Sequence, residues 1–428
     1  MLTLFSYAML VIGIAWGLFF IWLGRWHLVA LDLLMVISGA ASAVLTQRKK
    51  LQLAAVILFS TLISVICIIA LVFDVPTAQA WRSSHLYLLP LSVAALMAFR
   101  TSSPWWRHSL ALVCLMAFGI LSVTHYVPFP DLALPDSVRV SGTWIQTIIA
   151  MTLFYTVLHL LQNEVISRSS LENDLRQAIE QKQFALHYQV QVDANNRLIG
   201  AEALIRWNHP ERGLVMPGQF IEAAEQSRLI LPMGHWVLET ACAQLKVWSA
   251  QVHTNRLRLA VNISPLQFSQ DNFVPQILEM IDRHGIDAGL LELELTETML
   301  ASNLQEIIAK MSMLKTRGVA FSLDDFGTGY SSLNYLKRLP LNQLKIDQSF
   351  IRDVLTDSND ASIARTVVAL GHNLGLSVIA EGVETQEQRT FLVESGCELF
   401  QGYLFSKPLS IDHFNAFVAQ HVASYPTA

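Results

Sequence analysis

The sequence predicts an all-α membrane region followed by an α/β domain whose parallel strands close into a barrel. Three observations predict it. First, charge is sparse before residue 167: residues 1–166 hold five acids (Asp32, Asp74, Asp131, Asp136, Glu164) and eight Lys or Arg, whereas the remainder holds 29 acids and 21 bases. Second, strand-like and helix-like patterns alternate over the last ~250 residues, the signature of β/α units. Third, seven apolar runs there end in a polar group: LIGAEAL, LRLAVN, LLELE, VAFSLDD, NQLKID, LSVIAE and CELFQG. Carboxylates beside apolar strands are costly unless a metal or base compensates them. Repeated on successive strands, they describe the rim of a barrel that binds cations and an anionic substrate.

In the membrane region, apolar stretches run at 4–24, 28–46, 51–73, 84–99, 109–126 and 142–161. Most approach the ~20 residues that cross a bilayer, and the fourth, with Pro90, is the weakest. Six spans place both termini in the cytoplasm. The inside loops then hold Arg48, Lys49, Lys50, Arg100 and Arg107, and the outside loops Arg25, Arg82 and Arg139. That bias fits the positive-inside rule. A bacterial cytoplasmic (inner) membrane location, multi-pass, is therefore expected. Asp32 lies inside the second stretch, as an intramembrane site or near the interface by Arg25 and His27. The histidines of this region lack paired spacing, and its tryptophans mostly mark span ends.

The expected organisation is a transmembrane sensory domain over 1–162, a connecting signalling helix over 163–183 and a catalytic domain over 170–428. In the connector, Val165, Leu171, Leu175 and Ile179 recur at near-helical spacing. Two readings stand: a helix pairing across a homodimer, and the first helix of the soluble domain packing on its own barrel. The four cysteines are far apart and make no CxxC pair. The acidic second half argues against DNA or RNA polymers, which need a basic surface.

Helical patterns in the second half lie near 217–227, 232–250, 273–284, 302–317, 358–375, 385–395 and 410–421. No Gly-x-Gly-x-x-Gly follows the first strand, which disfavours a dinucleotide fold. The rim inventory is Glu202, Asn262, Glu294, Asp324, Asp325, Lys345, Glu381 and Gln401. Such hard oxygen donors suit Mg²⁺ or Mn²⁺ rather than zinc. The adjacent Asp324 and Asp325 suit a bridge between two ions about 3.5–4 Å apart, the spacing used for in-line phosphoryl displacement. Lys345 suits a role holding water or stabilising phosphate charge. Arg206 suits a phosphate oxygen. Gly327 and Gly329 give freedom to the FGTGYSSL loop directly after the two acids.

These motifs, EALIRW (202–207), VNISP (261–265), ELTE (294–297), DDFGTGYSSL (324–333), LKID (344–347), AEGVE (380–384) and QGYLFSKP (401–408), stand in order. Together they resemble the EAL family of cyclic di-GMP phosphodiesterases, over roughly 170–425. The resemblance implies a modified (β/α)₈ TIM-like barrel with one antiparallel strand, and hydrolysis of cyclic di-GMP to linear pGpG. It implies that Glu202, Asn262, Glu294 and Asp324 hold one metal, and that Asp324, Asp325 and Glu381 surround a second. Lys345 would orient the attacking water, with Glu381 as general base or second-metal partner. Gln189, Leu204, Arg206, Glu384 and Gln401 would meet the substrate, and Glu297 would brace the Gly-rich loop. One departure is visible: Tyr-Gln-Pro is common after the family's first strand, and here Val190 follows Tyr188 and Gln189. No cyclase motif of the Gly-Gly-Asp-Glu-Phe type occurs. Receptor-type relatives lose metal ligands or loop acids that this chain keeps.

Overall fold

The computed structural model describes residues 2–22, 24–48, 50–78, 80–99, 104–129, 132–133, 136–301, 303–327 and 336–424. The chain divides into two compact units, Met1–Ser167 and Arg168–Ala428.

The first unit is helical: α1 Leu2–Trp22, α2 Trp26–Gln47, α3 Leu51–Ile68, α4 Leu88–Ala98, α5 Pro104–Val123 and α6 Asp136–Glu180, the last crossing the division. Among the described residues, four segments are long and apolar enough to cross a membrane: Phe5–Trp22, Trp26–Gln47, Leu51–Phe73 and Gly142–Asn163. The other two apolar helices, Ser84–Ala98 and His108–Val123, are shorter. In the first of these, a 3₁₀ turn at Ser84–Tyr87 takes up residues that the apolar pattern assigns to a full span. Small residues let the first helices approach. Ser6 Oγ donates to Ser42 Oγ, which donates to the Ala54 carbonyl, and a Cβ on Gly39 would meet Ser6. Asp32 is buried where α2 passes Gly17 of α1.

Arg82 and Arg139, assigned to the outside loops, are buried. Arg139 pairs with Asp74 at 3.3 Å, and Arg82 Nη1 donates to the Leu121 and Thr124 carbonyls at the end of α5. Helix ends leave carbonyls without intrahelical partners, and a cation there satisfies them.

The second unit is a closed barrel. Its strands are β1 Phe184–Asp193, β2 Leu198–His209, β3 Gly213–Val215, β4 Arg258–Ile263, β5 Leu291–Thr296, β6 Ala320–Phe326, β7 Gln343–Ile346, β8 Ser377–Ala380 and β9 Leu399–Gln401. The order is β1-β9-β8-β7-β6-β5-β4-β2-β3, and a β1–β2 pairing closes eight strands into a ring with β3 appended to β2. β1 is antiparallel to both neighbours, and the pairs from β2–β4 round to β8–β9 are parallel. This is the modified barrel with one reversed strand.

Helices cover the ring where the periodicity places them. Ile230–Ser249 buries Val237, Leu238, Ala241, Cys242, Leu245 and Trp248, a stripe at helical spacing. Phe273–His284 and Ser358–Leu374 each end at a left-handed glycine, Gly285 and Gly375. Thr385 and Gln388 form a capping box that starts Gln386–Glu394. Leu175 and Ala178 are fully buried in a second core with Phe184, Trp207 and Phe220. The helix before the barrel therefore packs on its own barrel.

Two expectations about strands change. Tyr188-Gln189-Val190 lies inside β1 rather than after it, so Val190 occupies no turn; it is fully buried. A β-branched residue with a free N–H suits a continuous strand better than proline does. Glu202 is the fifth of twelve residues in β2 rather than its end, because β2 continues to His209 in a hairpin with β3. Gly329 and most of the Gly-rich loop lie outside the described residues.

Candidate active site

The rim forms because the strands are staggered so that inward-facing polar residues meet near the C-terminal ends of the parallel strands. Asn262 pairs with Glu294 across β4–β5, Thr296 with Asp324 across β5–β6, and Gln191 with Gln401 across β1–β9. Lys345 is the last residue but one of β7, and Glu381 directly follows β8, its N–H donating to the Ile346 carbonyl.

Lys345 is the centre of the cluster and is fully buried. Its Nζ lies 2.6 Å from Glu294 Oε2, 2.5 Å from Glu381 Oε1, 3.5 Å from Asp324 Oδ1 and 3.7 Å from Glu202 Oε2. Burial opposes the ammonium charge, but the four carboxylates outweigh it and hold the lysine pKa well above its usual value. Burial pushes Glu294 well above the carboxylate range, with help from the Glu202 charge. Burial likewise pushes Glu381 up to about 8. Glu202 goes the other way. Burial would raise it, but Lys345 and hydrogen bonds from Gln401, Asn262 and Glu294 bring it below its ordinary value.

Glu202 is held at both oxygens. Asn262 Nδ2 donates to Oε1 at 2.6 Å, and Gln401 Nε2 donates to Oε2 at 2.5 Å. The first bond commits the Asn262 nitrogen and leaves its carbonyl oxygen available as a hard donor. Asp324 Oδ1 accepts from the Asp325 N–H at 2.9 Å. Asp325 sits at φ +56°, a strained conformation for a non-glycine residue. Burial, then Asp324 and Asp347, push its carboxyl up to about 6.

Glu202, Glu294, Asp324, Lys345 and Glu381 are thus brought together, with Asn262 and Gln401 bonded to Glu202. Glu297, just after β5, accepts from the Gly327 N–H at 3.3 Å, at the start of the Gly-rich loop; Gly327 has φ +101°. Gln189 is part of the same buried network: it accepts from Gln401 and donates to the Ser406 carbonyl. The other expected substrate contacts hydrogen-bond outside the cluster or not at all, although the Glu202 charge reaches the Arg206 guanidinium. Leu204 is half-buried opposite His187 on β1. Arg206 is buried four residues beyond Glu202, about 13 Å along the strand, and donates to the Ile205 carbonyl. Glu384 is exposed, with its N–H donating to Gln388.

Two residues beside the site escape sequence reasoning. Asp347, which raises the Asp325 pKa, reads only as the end of an apolar run. Gln191 reads only as the residue that follows Val190, yet its Nε2 donates to Gln401 Oε1 at 2.9 Å. An alternation of buried amides, Gln189 then Gln191, is the signal that marks it.

The donor set fits a divalent cation. It offers oxygen donors only, one ammonium faces four carboxylates, and Glu294 Oε1 is buried without a hydrogen-bond partner. Among the described residues no three His, Cys, Asp or Glu side chains form a ready cage; the carboxylates turn toward Lys345.

The tightest backbone approach beside the site is at Gly402, directly after Gln401. A Cβ there would lie 2.1 Å from the Val383 carbonyl oxygen and 2.3 Å from its nitrogen. Val383 N–H donates to the Gln401 carbonyl, so this contact fixes the loop that carries Glu381. Gly402→Ala is expected to lower stability by about 1–3 kcal/mol and turnover by more than about tenfold, through displacement of Glu381. Melting and activity of the full chain, measured side by side, check both effects.

The sequence profile of the EAL domain matches residues 172–408, more than half of the chain. The chain belongs to the EAL domain family. Among curated relatives, it is 45% identical over 250 residues to the bifunctional diguanylate cyclase/cyclic di-GMP phosphodiesterase MucR of Pseudomonas aeruginosa, covering 58% of this chain and 36% of MucR. It is 43% identical over 249 residues to the cyclic di-GMP phosphodiesterase NbdA of the same organism, covering 58% of this chain and 32% of NbdA. The chain thus spans about a third of the length of these relatives. A solved structure of the PaMucR phosphodiesterase in a c-di-GMP complex shares 45% identity, with a TM-score of 0.56, over 57% of this chain and 99% of that one. The EAL domain accounts for the reversed β1 and for the rim: both belong to the region the profile covers.

Proposed function

We propose that this chain is a membrane-bound phosphodiesterase that hydrolyses cyclic di-GMP to linear pGpG with Mg²⁺ or Mn²⁺. The observation that carries the reading is the buried Lys345 ammonium surrounded by Glu202, Glu294, Asp324 and Glu381 at one end of the barrel. MucR and NbdA, which bear the phosphodiesterase name, share the matched region and support the choice of substrate.

Glu202, Asn262, Glu294 and Asp324 would hold one ion, and Asp325 and Glu381 would complete the site of a second beside Asp324. Bound there, the ions supply charge neutralisation and Lewis acidity at the phosphodiester. Lys345 positions the attacking water and stabilises charge on the phosphate. Glu381 would serve as general base toward that water or as partner of the second ion. The new bond joins the water oxygen to phosphorus as the P–O3′ bond breaks, and the departing 3′ oxygen takes a proton from solvent to leave as a hydroxyl. Arg206, Leu204, Glu384 and Gln189 line the approach, with Gln401 steadying Glu202. Glu297 holds the start of the Gly-rich loop through Gly327.

The first unit acts as a sensory region in the cytoplasmic (inner) membrane. Only 11–33% of each of its four long apolar helices is buried, as a lipid solvent allows and water does not. Six spans, with Ser84–Ala98 and His108–Val123 as short members, return the chain to the cytoplasm before the barrel. The region 163–183 acts as the signalling connector, and a homodimer through the connector and barrel is the assembly we infer.

The full chain in detergent is expected to linearise cyclic di-GMP with either metal. EDTA should abolish turnover, and added Mg²⁺ or Mn²⁺ should restore it. Turnover that persists in EDTA contradicts the metal assignment.

A further inference from the structure

We infer that Gln191 is a positioning residue that fixes the rotation of the Gln401 amide and, through it, the Glu202 carboxylate. The inference rests on the reading of Glu202 as a metal ligand.

The two ends of a glutamine amide have nearly the same shape, so its partners alone decide which end faces where. Gln401 donates from Nε2 to Glu202 Oε2 at 2.5 Å and to Gln189 Oε1 at 3.2 Å. Its Oε1 accepts from Gln191 Nε2 at 2.9 Å. Turned by half a rotation, Gln401 would set its oxygen against a carboxylate and its nitrogen against another donor. Gln189 cannot reverse to accommodate this without giving up the Ser406 carbonyl, to which its Nε2 donates.

Gln189, Gln191 and Gln401 are all buried, so bulk water does not replace a lost partner. Gln191 stands directly opposite Gln401 in the β1–β9 register, and β1 is the antiparallel strand. Without the Gln191 donor, Gln401 Oε1 is buried and unsatisfied, and the reversed rotation becomes competitive. Glu202 then loses a bond that keeps Oε2 in place, with Lys345 Nζ 3.7 Å away. The orientation of a ligating carboxylate is set by such outer bonds, so the effect falls on metal affinity.

The test is Mn²⁺ binding by the full chain in detergent, read by electron paramagnetic resonance of the free ion. Gln191→Leu removes the donor and keeps the bulk; Gln191→His keeps a neutral N–H donor. Gln191→Leu is expected to weaken Mn²⁺ binding by about 10–100-fold, with a smaller loss of kcat at saturating metal. Gln191→His should stay within about threefold of the unaltered protein. Wild-type affinity in Gln191→Leu overturns the inference, as does equal weakness in both variants. Mn²⁺ binding by the unaltered protein without turnover of cyclic di-GMP overturns the phosphodiesterase reading alone. Absence of Mn²⁺ binding by the unaltered protein overturns both.

Discussion

Lys345→Met is expected to lower turnover by at least about a thousandfold and to destabilise the barrel by about 3–5 kcal/mol. The residue is fully buried and is the cation nearest four carboxylates, two of them within 2.6 Å. Removing one partner of a buried ion pair strands the other charge in a medium that solvates it poorly. Here it strands several, and Met supplies similar volume with no charge. The sign of the pH dependence follows from the carboxyls. Glu294 and Glu381 are already raised by burial with Lys345 present, and they rise further without it. A group whose folded pKa is raised favours the folded state at low pH and loses that contribution as pH climbs through the folded pKa. The stability deficit of Lys345→Met in EDTA should therefore shrink from pH about 8 to pH about 5. Urea unfolding at both pH values checks it. A deficit that grows toward low pH would mean that Lys345 is not the counter-charge of this cluster.

The second large effect is expected at Glu202. Glu202→Ala should reduce turnover by at least about a thousandfold while leaving a folded protein. It removes the acceptor for two buried amide donors, Asn262 Nδ2 and Gln401 Nε2. Each orphaned donor costs about 1–3 kcal/mol. The loss is partly offset because Lys345 keeps Glu294 and Glu381 close. Steady-state rates and a denaturant titration separate the two consequences. Retention of more than about a tenth of wild-type turnover would remove Glu202 from the metal site.

The rim was legible in the sequence because it violates a strong physical rule. Glu294 and Lys345 follow apolar runs that bury them completely, and only mutual compensation makes that tolerable. The alternation of periods likewise marked the helices: Phe273–His284 begins and ends where its apolar stripe does. Features set by long-range pairing were not legible. β2 runs seven residues past Glu202 because β3 folds back on it, which no local pattern in the strand announces. Gln191 carries no charge to make it conspicuous, and its importance comes from Gln401, 210 residues away. Arg82 and Arg139 looked like loop cations because sequence spacing cannot show that Asp74 and the α5 carbonyls lie beside them. Glu384 is exposed, and its N–H donates to Gln388 at the start of a helix, a bond that no local pattern announces.

This rim is expected to direct water onto a phosphodiester of cyclic di-GMP. Turnover by the full chain in ¹⁸O-labelled water, with Mg²⁺ or Mn²⁺, tests it at the atom transferred. The predicted result is linear pGpG carrying one ¹⁸O in its 5′-phosphate, with no product from Glu202→Ala. No pGpG with either metal, or pGpG without the label on phosphorus, would contradict it.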